Sequence, residues 1–129
     1  MNYGMGGIIS AHVDAFGLEE NSKIIEEGGP RIITFMTYLS SVKAGGRTVF
    51  PQLGISVKPV QGSALYWFNV HPDFGMDSRN LHLGCPMLFG NKWIANKWVK
   101  FNAQFKSHPC KLFNDTAFSI ETKKGCSYK

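Results

Sequence analysis

His12 and Asp14 stand two residues apart in IISAHVDA, a stretch that reads as extended chain. A strand turns every second side chain to the same side, so an imidazole and a carboxylate converge there without backbone strain. The pair alone says little, because a surface histidine beside a solvated aspartate writes the same pattern. His82, in NLHLGCP between Gly84 and Pro86, changes its weight. Two imidazoles and one carboxylate form the facial set that holds non-haem Fe(II) and leaves three coordination positions open for other ligands. His71 and His108 compete for the role, but each adjoins a proline in a polar loop, HPDFGMD and KSHPCK, and both read as solvated. Ten residues after His82, Lys92 opens an alternating run that puts Lys92, Ile94, Asn96 and Trp98 on one face. A lysine there either snorkels at a strand end or pairs with a bound dianion at a barrel mouth.

The elements that must position these groups read as strands. Residues 32–39, IITFMTYL, are β-branched and aromatic, and they lead into Gly45-Gly46, a pair suited to the positive φ of a tight hairpin turn before TVF at 48–50. Further strands are predicted over 55–60, demoted to an edge or an end by Pro59, over 63–70, and over 92–99. The acidic stretch at 18–29 is the sole helical candidate. Short strands separated by Gly/Pro turns imply an all-β domain with a closed or sandwiched antiparallel sheet.

The chain has 129 residues, 43% of them hydrophobic and 18% charged, which suits one core. Disorder is excluded by that composition, and a membrane span by the lack of any run near roughly 18 apolar residues. The net charge of +5 is unevenly placed: residues 1–91 carry six Lys/Arg against seven Asp/Glu, and residues 92–129 carry eight Lys against two acids. No arginine follows Arg79, so the basic part lacks the bidentate donors that read bases, and no nucleic-acid partner is expected. Three cysteines, Cys85, Cys110 and Cys126, allow one disulfide or none. The opening MNYGMGGIISAHVDAFG has no basic region and no long apolar stretch, so no signal peptide is predicted. It reads like the interior of a domain, and a barrel truncated at its N-terminus is expected.

Taken together, His12-x-Asp14, His82 and Lys92 with NYGMGG at 2–7, TYLSSVKAGGRTVFP at 37–51, GSALYWFN at 62–69, HLGCP at 82–86 and GNKWIANKWV at 90–99 closely resemble the catalytic domain of collagen prolyl 4-hydroxylase alpha subunits. The resemblance implies a double-stranded β-helix, the cupin-like jelly roll, as a dioxygenase domain over 1–110 followed by a basic tail at 111–129. It implies Fe(II), O2, 2-oxoglutarate as co-substrate, and L-ascorbate to rescue oxidised iron. Carried over residue by residue, His12, Asp14 and His82 would ligate iron, and Lys92 would bind the distal carboxylate of 2-oxoglutarate. Tyr3 and Thr34 look like its hydrogen-bonding neighbours, with Tyr38 as an alternative donor on the face of Thr34. Trp98 resembles the aromatic residue bordering the substrate cleft.

The same resemblance pairs Cys85 with Cys110 in a disulfide, leaves Cys126 extra, and places the protein in the endoplasmic reticulum lumen. The implied reaction is C4 hydroxylation of proline in procollagen-like peptides, coupled to oxidative decarboxylation of 2-oxoglutarate to succinate and CO2, with protein disulfide isomerase as beta subunit. Several positions depart from the family pattern: Ile8, Ile9 and Ala11 before the ligand pair, Leu83 after His82, and Lys100 where a histidine is usual. These leave a 2-oxoglutarate oxygenase of another substrate, or a non-catalytic jelly-roll binding module, as alternatives.

Overall fold

The computed structural model describes residues 1–15 and 28–103. The helical candidate at 18–29, apart from its closing glycines, lies outside them, as do His108, Cys110, Cys126 and the basic tail. Among the described residues ten strands follow in order: β1 (Asn2–Tyr3), β2 (Ile9–His12), β3 (Arg31–Tyr38), β4 (Ala44–Gly45), β5 (Thr48–Phe50), β6 (Ile55–Val57), β7 (Ala64–Phe68), β8 (His82–Gly84), β9 (Met87–Phe89) and β10 (Lys92–Lys100). They form one four-stranded sheet ordered β1-β10-β3-β7, a second ordered β2-β8-β5-β6, and a β4-β9 pair, every ladder antiparallel. The all-β jelly roll expected from the sequence is the fold observed. Among the described residues no helix is long and apolar enough to cross a membrane.

The long strands owe their placement to alternation. On β3, Ile32, Thr34, Met36 and Tyr38 are buried while the residues between them are half-buried or exposed, and on β10 Lys92 and Ile94 are buried between exposed neighbours. Met36, Tyr38 and Ile94 form one core cluster, with Tyr3, Val57, Leu65 and Trp67 packed on it. A second cluster joins Ala15, Ile32 and Val70 to Ile33, Phe74, Val99 and Phe101. The two sheets meet through Trp67 of β7, whose ring lies 5.2 Å from that of Phe50 on β5.

The Gly45-Gly46 reading needs correction. Both residues have positive φ, 77° and 65°, yet they join no hairpin. Gly45 itself lies in β4, which pairs with β9; β3 before it pairs with β10 and β7, and β5 after the glycines pairs with β6 and β8 in the other sheet. The glycines carry the chain from one sheet to the other, and a Cβ on Gly45 would collide with the carbonyl of Pro86 and the amide of Leu88. Close backbone approach is what selects glycine there. Two strands are also shorter than predicted: β6 ends at Val57, before Pro59, and β7 stops at Phe68.

Candidate metal centre

His12 closes β2 and His82 opens β8, and the two residues are direct cross-strand partners. Between Ile9↔Gly84 and His12↔His82 the register shifts, with one more residue on β2 than on β8. Such a bulge re-aims a side chain, and here it brings the imidazole centroids to 4.3 Å. A Cβ on Gly84 would stand 2.7 Å from Ile9 Cγ2, so the glycine permits this close pairing.

Asp14 lies beyond the end of β2, in a bend, so strand parity is not what places it beside His12. Asp14 Oδ1 is 3.7 Å from His12 Nε2, and Oδ2 is 4.0 Å from His82 Nε2. One ligand atom from each of the three residues lies within 4.8 Å of the others. Each imidazole has its Nδ1 tied to a main-chain carbonyl, His12 to Ser10 and His82 to Asn80, both at 2.8 Å. That tautomer leaves both Nε2 lone pairs facing the carboxylate. Burial, with the nearby His12, pushes the His82 pKa below its ordinary value against the opposing pulls of Asn80 and Asp14, which favours the neutral, ligating imidazole. The ring is wedged between Trp67 and Phe50, at 4.8 and 5.4 Å. Two imidazoles and a carboxylate with uncovered space before them fit a transition ion such as Fe(II).

His12, Asp14, His82 and Lys92 line one cavity of about 70 Å³ together with Thr48 and Asn96. Lys92 and Trp98 sit at the two ends of the inward face of β10, and Trp98 Nε1 donates to Asp14 Oδ2 at 3.4 Å. The ammonium and the ligand set therefore occupy different ends of the cavity. Lys92 is 4% exposed, and burial holds its pKa below the ordinary lysine value, with Cys85 pulling the other way. Its Nζ donates to Thr48 Oγ1 at 3.2 Å and lies 5.7 and 5.6 Å from the ring centroids of Tyr3 and Tyr38. No carboxylate among the described residues pairs with it. A buried cation with only a hydroxyl partner is built for an anion. The indole N–H of Trp67 and the side-chain carbonyl of Asn96, both on the same lining, are buried without a protein partner, as a cavity that takes a polar guest requires.

The remaining sequence-predicted groups fall in different places. Tyr38 hydroxyl donates to Thr48 at 2.7 Å, one bond from the ammonium. Tyr3 lines the cavity with its ring toward Lys92, and its hydroxyl points to Met1 Sδ at 3.6 Å. Thr34 is fully buried, and its hydroxyl donates to Asp14 Oδ2 at 2.6 Å instead of standing beside Lys92. Trp98 also reaches Asp14, and the Arg31 guanidinium lies 3.8 Å above its ring. His71, expected to be solvated and not a ligand, is half-buried with Nε2 3.8 Å from Asp77 Oδ1 and is not among the clustered ligand residues. Cys85 is half-buried, and its expected partner Cys110 lies outside the described residues. Thr48 and Asn69 escaped the sequence reading, although each left a signal. Thr48 shares the inward parity of TVF with Phe50, and Asn69 is an amide at the end of the most apolar run.

The 2OG-Fe(II) oxygenase superfamily matches residues 1–100. The chain is 43% identical over 113 residues to prolyl 4-hydroxylase subunit alpha-1 of Gallus gallus, covering 86% of this chain and 22% of that one. It is 44% identical over 110 residues to subunit alpha-3 of Homo sapiens, covering 85% and 20%. It thus spans about a fifth of the length of these relatives. Among solved structures it is similar to the viral collagen prolyl hydroxylase of Paramecium Bursaria Chlorella virus-1 in its 2OG complex, with TM-score 0.68, 28% identity, and coverage of 77% of this chain and 55% of that one.

Proposed function

The chain belongs to the 2OG-Fe(II) oxygenase superfamily, and from that premise we propose that it is the catalytic domain of a procollagen-type prolyl 4-hydroxylase. The observation that carries the reading is the pairing, in one cavity, of a His-Asp-His set with a buried lysine that lacks a carboxylate partner. The named prolyl 4-hydroxylase relatives support the substrate class. His12, Asp14 and His82 hold Fe(II). Lys92 neutralises the distal carboxylate of 2-oxoglutarate, while Thr48, linked to Tyr38, supplies hydroxyl hydrogen bonding and Tyr3 walls the pocket.

When bound, iron, 2-oxoglutarate and O2 supply the oxidant that converts a proline C4–H to C–OH, with succinate and CO2 as co-products. The protein's part is placement. Its two histidines and one carboxylate would hold the metal and leave coordination positions for co-substrate and oxygen. Trp67 and Phe50 wall the His82 side against water, and the N–H of Trp67 and carbonyl of Asn96 are free to bind the guest. The exposed edge of Trp98 borders the path of an extended proline-rich chain. We extend the proposal to L-ascorbate as the reductant of the iron, to the endoplasmic reticulum lumen, to a Cys85–Cys110 disulfide, and to protein disulfide isomerase as partner, all on similarity to the relatives.

The test supplies a proline-rich peptide with Fe(II), 2-oxoglutarate, ascorbate and O2, and measures succinate and peptide mass together. One oxygen gained on proline, absent with His12→Ala, is expected. Succinate without peptide change assigns the oxygenase another substrate, and neither product from folded, metal-bound protein overturns the enzyme reading.

A further inference from the structure

Behind the two buried ligands runs a line of hydrogen bonds that neither the cavity nor the co-substrate uses. Thr34 Oγ1 donates to Asp14 Oδ2 at 2.6 Å and accepts from Asn69 Nδ2 at 2.9 Å. The main-chain carbonyl of Asn69 accepts from Asn80 Nδ2 at 2.8 Å. The carbonyl of Asn80 is in turn the partner of His82 Nδ1 at 2.8 Å. Asn80 Nδ2 also donates to the Phe68 carbonyl at 3.1 Å, which anchors the line to the end of β7.

Asp14 and His82 come from segments far apart in sequence, yet the bonds between them pass without a gap through Thr34, Asn69 and Asn80. All three intermediates are buried, Thr34 and Asn69 completely and Asn80 at 4% exposure. Polar side chains so placed cost stability unless hydrogen-bonded; the Thr34 hydroxyl and the amide nitrogens of Asn69 and Asn80 are, while Asn80 Oδ1 has no partner among the described residues. In sequence Asn69 is an amide set between Phe68 and Val70 at the end of an apolar run.

We infer that Thr34, Asn69 and Asn80 are positioning residues, a single relay that sets the carboxylate of Asp14 and the tautomer of His82 together before metal arrives. The inference rests on the metal-centre reading and deepens it. Thr34 donates its one proton to Asp14 because its lone pair already holds the Asn69 amide. His82 must donate from Nδ1 because Asn80 offers only an acceptor there, which leaves Nε2 as the ligating atom. Each end constrains the other, since displacing Asn69 disturbs both.

The experiment titrates Co(II) into the full chain, following affinity and the visible ligand-field spectrum, with circular dichroism and thermal melting of the metal-free protein alongside. Thr34→Val is expected to weaken Co(II) binding about 10- to 100-fold and alter the spectrum, while Thr34→Ser, which keeps the hydroxyl, restores parent affinity and spectrum. Asn80→Ala is expected to show a similar loss, and because the relay acts as one unit the double variant should lose no more than about twofold beyond the worse single. Losses that multiply, or a Thr34→Val protein that melts earlier yet binds Co(II) as the parent does, would overturn the relay. Should Thr34→Val fail to fold, Asn80→Ala decides alone, because it removes the amide and keeps the carbonyl used by His82: folded protein with weakened Co(II) binding and an altered spectrum supports the relay, and parent-like binding overturns it. A parent that binds no Co(II) overturns the metal-centre reading beneath it, which separates that failure from a failure of the relay alone.

Discussion

The Asp14 carboxylate and the Lys92 ammonium are buried in the same cavity, and the protein treats them differently. Asp14 Oδ2 receives hydrogen bonds from Thr34 and Trp98, and both its oxygens face imidazole nitrogens. Lys92 has the Thr48 hydroxyl, itself engaged by Tyr38, and two tyrosine rings. One end is supplied with protein partners before any ligand arrives. The other leaves a charge for the ligand to balance. A site of this kind holds its cation end rigid and makes its anion end a reason to bind.

The largest expected effect lies at the supplied end. Asp14→Ala or His82→Ala removes a proposed metal ligand, and metal affinity should fall by more than the roughly 100-fold that loss of an outer partner reaches. Isothermal titration with a redox-silent divalent cation measures it. Binding retained by His82→Ala would exclude that ligand assignment.

At the unbalanced end, Lys92→Met should weaken 2-oxoglutarate by about 100-fold, the scale of a charge-assisted hydrogen-bonded pair, with metal affinity unchanged. The same substitution should raise the melting temperature of the ligand-free protein, because it removes a buried cation without a carboxylate partner, a gain of roughly 1–2 kcal/mol. This is the sharpest contrast with Asp14, and a lower melting temperature for Lys92→Met would break the comparison. A smaller effect belongs to Thr48→Val, which strips the hydroxyl from Lys92 and Tyr38 and should weaken 2-oxoglutarate about tenfold.

The smallest effect is one of pH. Burial lowers the Lys92 pKa from its ordinary 10.5, so the free protein releases that proton earlier than an exposed lysine would. On the proposed pairing with Lys92, binding of 2-oxoglutarate needs the proton and should weaken as pH rises into the range below 10.5. The ligand-free protein runs the opposite way, since a lysine whose pKa is lowered by folding adds stability as pH climbs from the folded value to the unfolded one. Binding and melting curves from neutral to alkaline pH test both signs, and both should flatten in Lys92→Met.

Much of this contrast was legible in the sequence because it rests on local parity. Alternation along β3 and β10 identified the inward faces that carry Thr34 and Tyr38, and Lys92, Asn96 and Trp98. Motif order and spacing identified the ligand candidates. Pairing between distant strands was not legible: the bulge that sets His12 opposite His82, the crossing at Gly45-Gly46, and the meeting of Thr34 with Asp14 all depend on long-range register. Thr34 illustrates the limit. Its inward face could be read from the strand, but whether that face looks onto the lysine or the carboxylate depends on Trp98 lying opposite Thr34 in the ladder.

If one cavity binds a metal at one end and a dianion at the other, the two ligands should reinforce each other. The direct measurement is calorimetric titration of 2-oxoglutarate into the protein with and without Mn(II), under conditions that exclude turnover. One molecule per chain, bound at least about tenfold more tightly with Mn(II), is expected, the enhancement disappearing in His82→Ala and the affinity falling about 100-fold in Lys92→Met. Equal affinity with and without the metal, or unaltered binding in both variants, would contradict it.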